Sequence, residues 1–150
     1  MTEPGKRPTA VLFACGMNAV RSPMAAAIAS ALFPGRIYVK SAGVKRGDRD
    51  PFVDQVMAEL GMDTSKHQPK TFEDLDESGF DLVVTLAPQA HHKALELTRT
   101  EAVDVEYWPT MDPTLATGSR EQILDSYRAV RDQLLMRIKK RLDWTSPPSG

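Results

Sequence analysis

The segment from Thr9 to Phe33 constrains this chain most: an apolar run, a seven-residue turn and an apolar helix follow one another directly. Thr9-Ala-Val-Leu-Phe-Ala14 is rich in strand formers and reads as a buried strand. Cys15-Gly16-Met17-Asn18-Ala19-Val20-Arg21 leads from it to Ser22-Pro23, an N-capping residue followed by proline at the first helical position. Met24 to Phe33 is almost wholly apolar, which marks a helix covered on most sides, and Pro34-Gly35 stops it.

The same unit recurs. Ile37 to Ala42 reads as a second strand, followed by a basic, glycine-containing loop from Gly43 to Arg49. Asp50-Pro51 opens a helix whose apolar positions Val53, Val56, Met57 and Leu60 fall at helical spacing, with Gly61 as its stop. Phe80 to Leu86 is a third, central strand by its β-branched content, and a modest helix runs from Pro88 through Leu97. Val103, Val105 and Tyr107 alternate with Asp104, Glu106 and Trp108 in a fourth, edge-like strand. Ser119-Arg-Glu-Gln122 is a capping box, and Ile123, Tyr127, Val130, Leu134 and Ile138 trace the apolar stripe of a long terminal helix. Strands alternating with helices at this spacing predict an α/β domain: a parallel sheet with helices on both faces and right-handed crossovers.

Length and charge narrow the function. A chain of 150 residues supports one core, expected over 9–144, with a flexible N-terminal tail at 1–8 and a polar, proline-rich C-terminal tail at 145–150. Nineteen Lys and Arg against 20 Asp and Glu leave a net charge of −1, so no global positive field gathers nucleic acid or an anionic membrane. Neither a signal peptide nor a membrane-spanning segment is legible. The single cysteine excludes an internal disulfide framework and a cysteine-built zinc site, and it suits a reducing, cytoplasmic setting. No metal or cofactor is expected. The adjacent His91 and His92 diverge by about 100 degrees on a helix and read as a solvated face. The methionines read as core filler, and Lys139-Lys140-Arg141 as cations complementing a helix C-terminus.

In parallel α/β sheets ligands bind beyond the carboxyl ends of the strands, where Cys15–Arg21 sits. Its backbone amides can curl into a nest, the following helix aims the positive end of its dipole there, and Arg21 adds a fork of donors. These three would hold a phosphate-sized dianion, and they would equally favour Cys15 as a thiolate. A lone cysteine ending an apolar strand is ordinarily a small buried hydrophobe. The joint order of strand, Cys15, five residues, Arg21, Ser-Pro and helix outweighs that reading.

Val11 to Cys15 with Arg21-Ser22-Pro23-Met24-Ala25 resembles the signature of the low-molecular-weight protein tyrosine phosphatases and the related thioredoxin-coupled arsenate reductases. Ser41-Ala42-Gly43, Gly61 to His67, Asp81 to Leu86, Asp112-Pro113 and the helix from Gly118 to Ile138 also fall where that superfamily has counterparts. The resemblance implies a four-stranded parallel sheet with the catalytic loop after the first strand. It implies Cys15 as nucleophile, Arg21 as oxyanion clamp and Asp112 as general acid. Gly16, Met17, Asn18, Ala19, Val20, Arg21 and Ser22 would form the phosphate-binding loop, with Asn18 held left-handed by Ser22, Ser41 and His67, and with Ser22 both capping the helix and donating its hydroxyl to the Cys15 thiolate as a leaving group.

The implied reaction is hydrolysis of phosphate monoesters, phosphotyrosine in proteins foremost, through a phosphocysteine. Partners would be a phosphorylated protein or small phosphate ester, with inorganic phosphate or arsenate as further ligands. Two departures open alternatives. Val20 stands where many members have a second cysteine, and Ala87 falls near further redox cysteines of the thioredoxin-coupled reductases, so arsenate reduction here would draw on a small external thiol. Met17 replaces the usual glycine, which admits a non-catalytic oxyanion-binding module. Thr114-Leu115 and Lys45-Arg46 replace the aromatic flanks of the tyrosine phosphatases, giving a basic wall suited to acidic peptides. The small Ala19 would admit phosphoarginine.

Overall fold

The computed structural model describes residues 7–75 and 78–143. All but two residues of the expected N-terminal tail, and the whole C-terminal tail, lie outside them. The elements alternate as the sequence predicts: β1 (Ala10–Cys15), α1 (Arg21–Leu32), β2 (Tyr38–Gly43), α2 (Pro51–Ala58), β3 (Leu82–Thr85), α3 (Pro88–Leu97), β4 (Asp104–Tyr107) and α4 (Arg120–Leu142). A 3-10 turn, Pro113–Leu115, lies between β4 and α4. The four strands form one parallel sheet in the order β2-β1-β3-β4, so β4 lies at an edge.

Strand β1 is apolar throughout because both its faces are covered. Val11, Phe13 and Cys15 point into the larger core, built with Met24 and Ile28 of α1, Val53, Val56 and Met57 of α2, and Leu124 to Leu142 of α4. Leu12 points the other way, against Val83 and Ala94 of α3. Side chains alternate across a strand, so a one-residue slip would exchange these two sets. Each fully buried large aliphatic contributes roughly 1.5–3 kcal/mol relative to exposure, which makes the register, with Cys15 opposite Gly43, well specified.

Asp50 caps α2 by accepting from the Phe52 amide, and Gly61 takes φ +75 just beyond its end. The capping box of α4 forms in both directions between Ser119 and Gln122. Several sequence expectations need correction. Leu60 is exposed, because α2 ends at Ala58. Ile123 is only partly buried; Leu124 joins Tyr127, Val130, Leu134 and Ile138 in the buried stripe in its place. His91 is not on a solvated face: Nδ1 lies 3.0 Å from Thr85 Oγ1, and its ring stacks on Tyr107 with centroids 4.7 Å apart. The methionines divide: Met24 and Met57 fill the core, while Met17, Met111 and Met136 are exposed. Among the described residues no helix is long and apolar enough to cross a membrane.

Candidate oxyanion site

The loop between β1 and α1 is shaped from outside. Four consecutive carbonyls are engaged there: Cys15 by the Val44 amide at 3.2 Å, Gly16 by Lys45 at 2.9 Å, Met17 by Gly47 at 2.9 Å and Asn18 by His67 Nε2 at 2.8 Å. Turning these carbonyls outward turns the intervening amides inward. None of the amides of residues 16–20 meets an acceptor among the described residues, so they form a nest of free donors.

Asn18 is the hinge of this arrangement. It is fully buried, and its φ of 53 is the only positive value of a non-glycine residue among those described. Asparagine tolerates that region better than most residues. Its Nδ2 donates to Ser22 Oγ and to Ser41 Oγ, each at 2.9 Å, and its Oδ1 accepts from the Lys70 amide at 2.8 Å. The amide orientation is unambiguous, because a backbone N–H can only donate. Donation by His67 Nε2 to the Asn18 carbonyl likewise fixes the proton on Nε2. Burial holds the His67 pKa below the ordinary histidine value, with Lys70 and Arg49 acting in the same direction against the Asn18 hydrogen bond.

Ser22 does not cap α1. The N-cap position is Val20, without a side-chain hydrogen bond, and Arg21 is already helical. Ser22 is instead fully buried with Oγ 2.9 Å from Cys15 Sγ. Because that oxygen accepts from Asn18, its single hydrogen is available to sulfur, with the Ala42 carbonyl a distant 3.5 Å alternative. The first turn of α1 is thereby left open toward the loop, where it favours an anion.

Arg21 spans to the opposite loop. Nη1 donates to the Thr110 carbonyl at 2.8 Å, and Nη2 lies 4.0 Å from Asp112 Oδ2. Asp112 is oriented by Thr114, whose amide and hydroxyl donate to Oδ1 at 3.0 and 2.7 Å, leaving Oδ2 toward Arg21. Cys15, Arg21 and Asp112 thus stand at the same carboxyl edge of the sheet. Among the described residues no cluster of three or more His, Cys, Asp or Glu could hold a metal ion.

Sequence reasoning missed the props of the loop. A Cβ on Gly43 would stand 2.6 Å from the Asn18 nitrogen, and one on Gly47 would stand 2.8 Å from Met17 Cβ. Ser41-Ala42-Gly43 was legible as a motif, but not the close approach that requires its glycine. The basic wall does not form as expected, because Arg46 turns to Asp74 in a 2.7 Å ion pair. The mouth carries exposed apolar groups instead: Met17, Met111 and Leu115.

A parallel α/β domain with a cysteine and an arginine in an amide nest at the carboxyl edge of its sheet defines a cysteine-based oxyanion protein. The chain belongs to the low molecular weight phosphotyrosine protein phosphatase family, whose profile matches residues 10–143. It is similar to the glutaredoxin arsenate reductase of Synechocystis, 30% identical over 129 residues that cover 86% of this chain and 92% of the relative. The arsenate reductase of Bacillus subtilis is 31% identical over 130 residues, 87% of this chain and 92% of the relative. Among solved structures, an arsenate reductase in its phosphate-binding state superposes with a TM-score of 0.76 at 28% identity, over 92% of this chain and 99% of that one.

Proposed function

We propose that this protein reduces arsenate with thiols supplied from outside the chain. The observation that carries the reading is the setting of Cys15: the sole cysteine of the sequence lies at the floor of the amide nest, beside the Ser22 hydroxyl and Arg21. The similarity to proteins named arsenate reductase, one of them a glutaredoxin arsenate reductase, supports it.

The Cys15 thiolate attacks arsenic while Arg21 and the loop amides hold the remaining oxygens. A sulfur–arsenic bond forms, and one oxygen leaves as water with a proton from Asp112. A small thiol then attacks Cys15 Sγ. The sulfur–sulfur bond forms, the electron pair of the sulfur–arsenic bond passes to arsenic, and arsenite departs. A second thiol attacks the mixed disulfide, releasing the disulfide of the two external thiols and restoring Cys15. Two electrons from two thiols balance the reduction of arsenic from the +5 to the +3 state.

A second reading, hydrolysis of phosphate monoesters through a phosphocysteine, is favoured by one observation. Asp112 Oδ2 faces the loop while Oδ1 is tied to Thr114, the arrangement a leaving alkoxide or phenoxide needs. Both readings use Cys15 as nucleophile and Arg21 as clamp. One preparation tests them together, with chelator present: arsenite production with glutathione or mycothiol plus glutaredoxin, and release of p-nitrophenol from its phosphate. Arsenite turnover that Cys15→Ser abolishes is the expected result. Ester hydrolysis without arsenite from any thiol system would transfer the assignment to the phosphatase reading. Tight oxyanion binding with neither turnover nor a trapped cysteine adduct would leave only a binding module.

A further inference from the structure

Among the described residues no helix or strand is packed over one face of α1. Pro23, Ala26, Ala27, Ser30 and Ala31 look across an open depression of about 480 Å³ at Met62, Thr64, Lys66 and His67. A smaller adjoining depression, of about 270 Å³, shares Ala26, Ser41, Lys66 and His67 and adds Lys40 and Lys70. Together they form a groove that shares none of the residues placed at the mouth of the oxyanion loop. Its size is that of a small-molecule site rather than of a macromolecular footprint.

The chemistry of the lining is asymmetric. The floor is the small, apolar side chains of α1 with Met62. The rim carries Lys66 and Lys70 against one carboxylate, Asp63, whose Oδ1 is already occupied by the Ser65 amide, while Lys40 is engaged over the Tyr38 ring. An occupant with an apolar body and an anionic head matches both parts.

The walls are also the tethers of the oxyanion loop. Ser41 Oγ accepts from Asn18 Nδ2, His67 Nε2 donates to the Asn18 carbonyl, and the Lys70 amide donates to Asn18 Oδ1. Three of the contacts that keep Asn18 left-handed therefore come from residues that line the groove. Among the described residues the only other partner of the Asn18 side chain is Ser22, inside the loop.

We propose that this groove binds a small organic anion, and that its occupant tightens oxyanion binding at the Cys15 loop by bracing Ser41 and His67 against Asn18. The two sites are then linked, and each occupant strengthens the other by the same factor. The link does not depend on whether the bound oxyanion is subsequently reduced or hydrolysed.

The test needs no turnover. Fluorescence titration with anilinonaphthalene sulfonate, an aromatic anion, reports on the groove; protection of Cys15 from iodoacetamide by inorganic phosphate reports on the loop. Saturable binding of the dye is expected, weakened at least about tenfold by Ala31→Trp, which fills the groove from an exposed position, and by Lys66→Glu. Saturating dye should lower the phosphate concentration that half-protects Cys15 by a fixed factor of about five. Without dye, Ala31→Trp should leave that concentration unchanged. Dye binding that survives both substitutions, displacement of the dye by inorganic sulfate alone, or half-protection that is unmoved or rises steadily with dye would each overturn the proposal. A steady rise means competition at the loop itself.

Discussion

Ser22 Oγ stands 2.9 Å from Cys15 Sγ while accepting a hydrogen bond of the same length from Asn18 Nδ2. The hydroxyl hydrogen is thereby directed to sulfur, where it stabilises the thiolate both as nucleophile and as leaving group. Ser22→Ala removes that donor. A hydrogen bond to a charged group is worth about 1.5–3 kcal/mol, so kcat should fall by roughly 10- to 100-fold. Affinity for inorganic phosphate should change by less than about threefold, because the amides and Arg21 remain. Single-turnover kinetics should place the loss in the step that frees Cys15. A lower melting temperature with kcat intact would instead restore the helix-cap role that the sequence suggests.

Asp112 and Thr114 make a second testable pair. Asp112→Asn keeps the turn but removes the proton, and general acid catalysis is typically worth 10²–10⁴-fold, so kcat should drop by about that factor with KM little altered. Thr114→Val removes the 2.7 Å hydroxyl bond to Oδ1 and keeps the amide bond. A loss of roughly three- to tenfold in kcat is expected, restored by Thr114→Ser, which returns the hydroxyl. Failure of serine to rescue would show that Thr114 acts through its methyl group.

The elements whose signals are local were legible in the sequence. The run from Thr9 to Ala14 reads as a buried strand because its composition alone reports burial on both faces, and the Ser119–Gln122 box closes within one turn. The loop with its cysteine and arginine was legible for the same reason. What the sequence hides is contact across the fold. The partners of Asn18 stand 49 and 52 residues away at His67 and Lys70, and that of Arg21 stands 89 away at Thr110. His67 and Ser41 were reachable only through resemblance to a family; Thr114 was marked as a flank of the cleft rather than as the partner of Asp112, and Lys70, Thr110 and Gly47 carried no signal at all. Of the two roles expected of Ser22 only the cap fails, because Ser-Pro before a helix is the same local pattern whether the hydroxyl caps or turns to a thiol, and here it stands 2.9 Å from Cys15 Sγ. The Lys45-Arg46 wall fails likewise, since the Asp74 that captures Arg46 lies 28 residues on.

Gly43 and Gly16 should separate in their tolerance of a side chain. At Gly43 a Cβ meets backbone on three sides, the Asn18 nitrogen at 2.6 Å, the Lys45 oxygen at 2.7 Å and the Met17 carbon at 2.8 Å, so the loop itself must move. Gly43→Ala should cost about 1–3 kcal/mol of stability and weaken phosphate binding further, through the displaced amides. At Gly16 a Cβ meets nothing within 4 Å, and Gly16→Ala should leave the melting temperature within a degree or two of wild type. Denaturant melts of both variants, with and without phosphate, distinguish strain in the fold from strain confined to the loop.

His67 should make stability depend on pH in one direction. Its folded pKa lies below the ordinary value of 6.5, chiefly through burial. The unfolded chain therefore takes up a proton more readily than the folded one. Its contribution is fully present above about pH 6.5 and is lost as pH falls toward the folded value. Nε2 keeps its hydrogen bond to Asn18 in either state, so the cost is that of charging a partly buried ring beside Lys70 and Arg49. His67→Gln should flatten the decline in unfolding free energy as pH falls below about 6.5; a variant that declines as steeply as wild type would assign the effect elsewhere.

The clamp between α2 and α4 titrates in a different window. Glu59 accepts from Arg128 at 2.8 Å and from Arg131 at 2.7 Å, and these hydrogen bonds, that of Arg128 first, hold its pKa at about 2 against an ordinary 4.5. A carboxylate with a lowered folded pKa stabilises the fold fully above its unfolded value, and that contribution fades as pH falls toward the folded one. Glu59→Gln should therefore melt below wild type at neutral pH, with the gap closing between pH 4.5 and 2. Arg131 is buried, donates to the Val56 carbonyl and pairs with Asp132 at 2.8 Å, so the glutamine leaves its guanidinium anchored with one of its two carboxylate partners. Salt distinguishes the two arms of the clamp. The Arg128 arm lies nearer solvent and is screened, so added salt should narrow the gap between wild type and Glu59→Gln without closing it. A gap that salt abolishes would mean that the buried Arg131 arm contributes nothing.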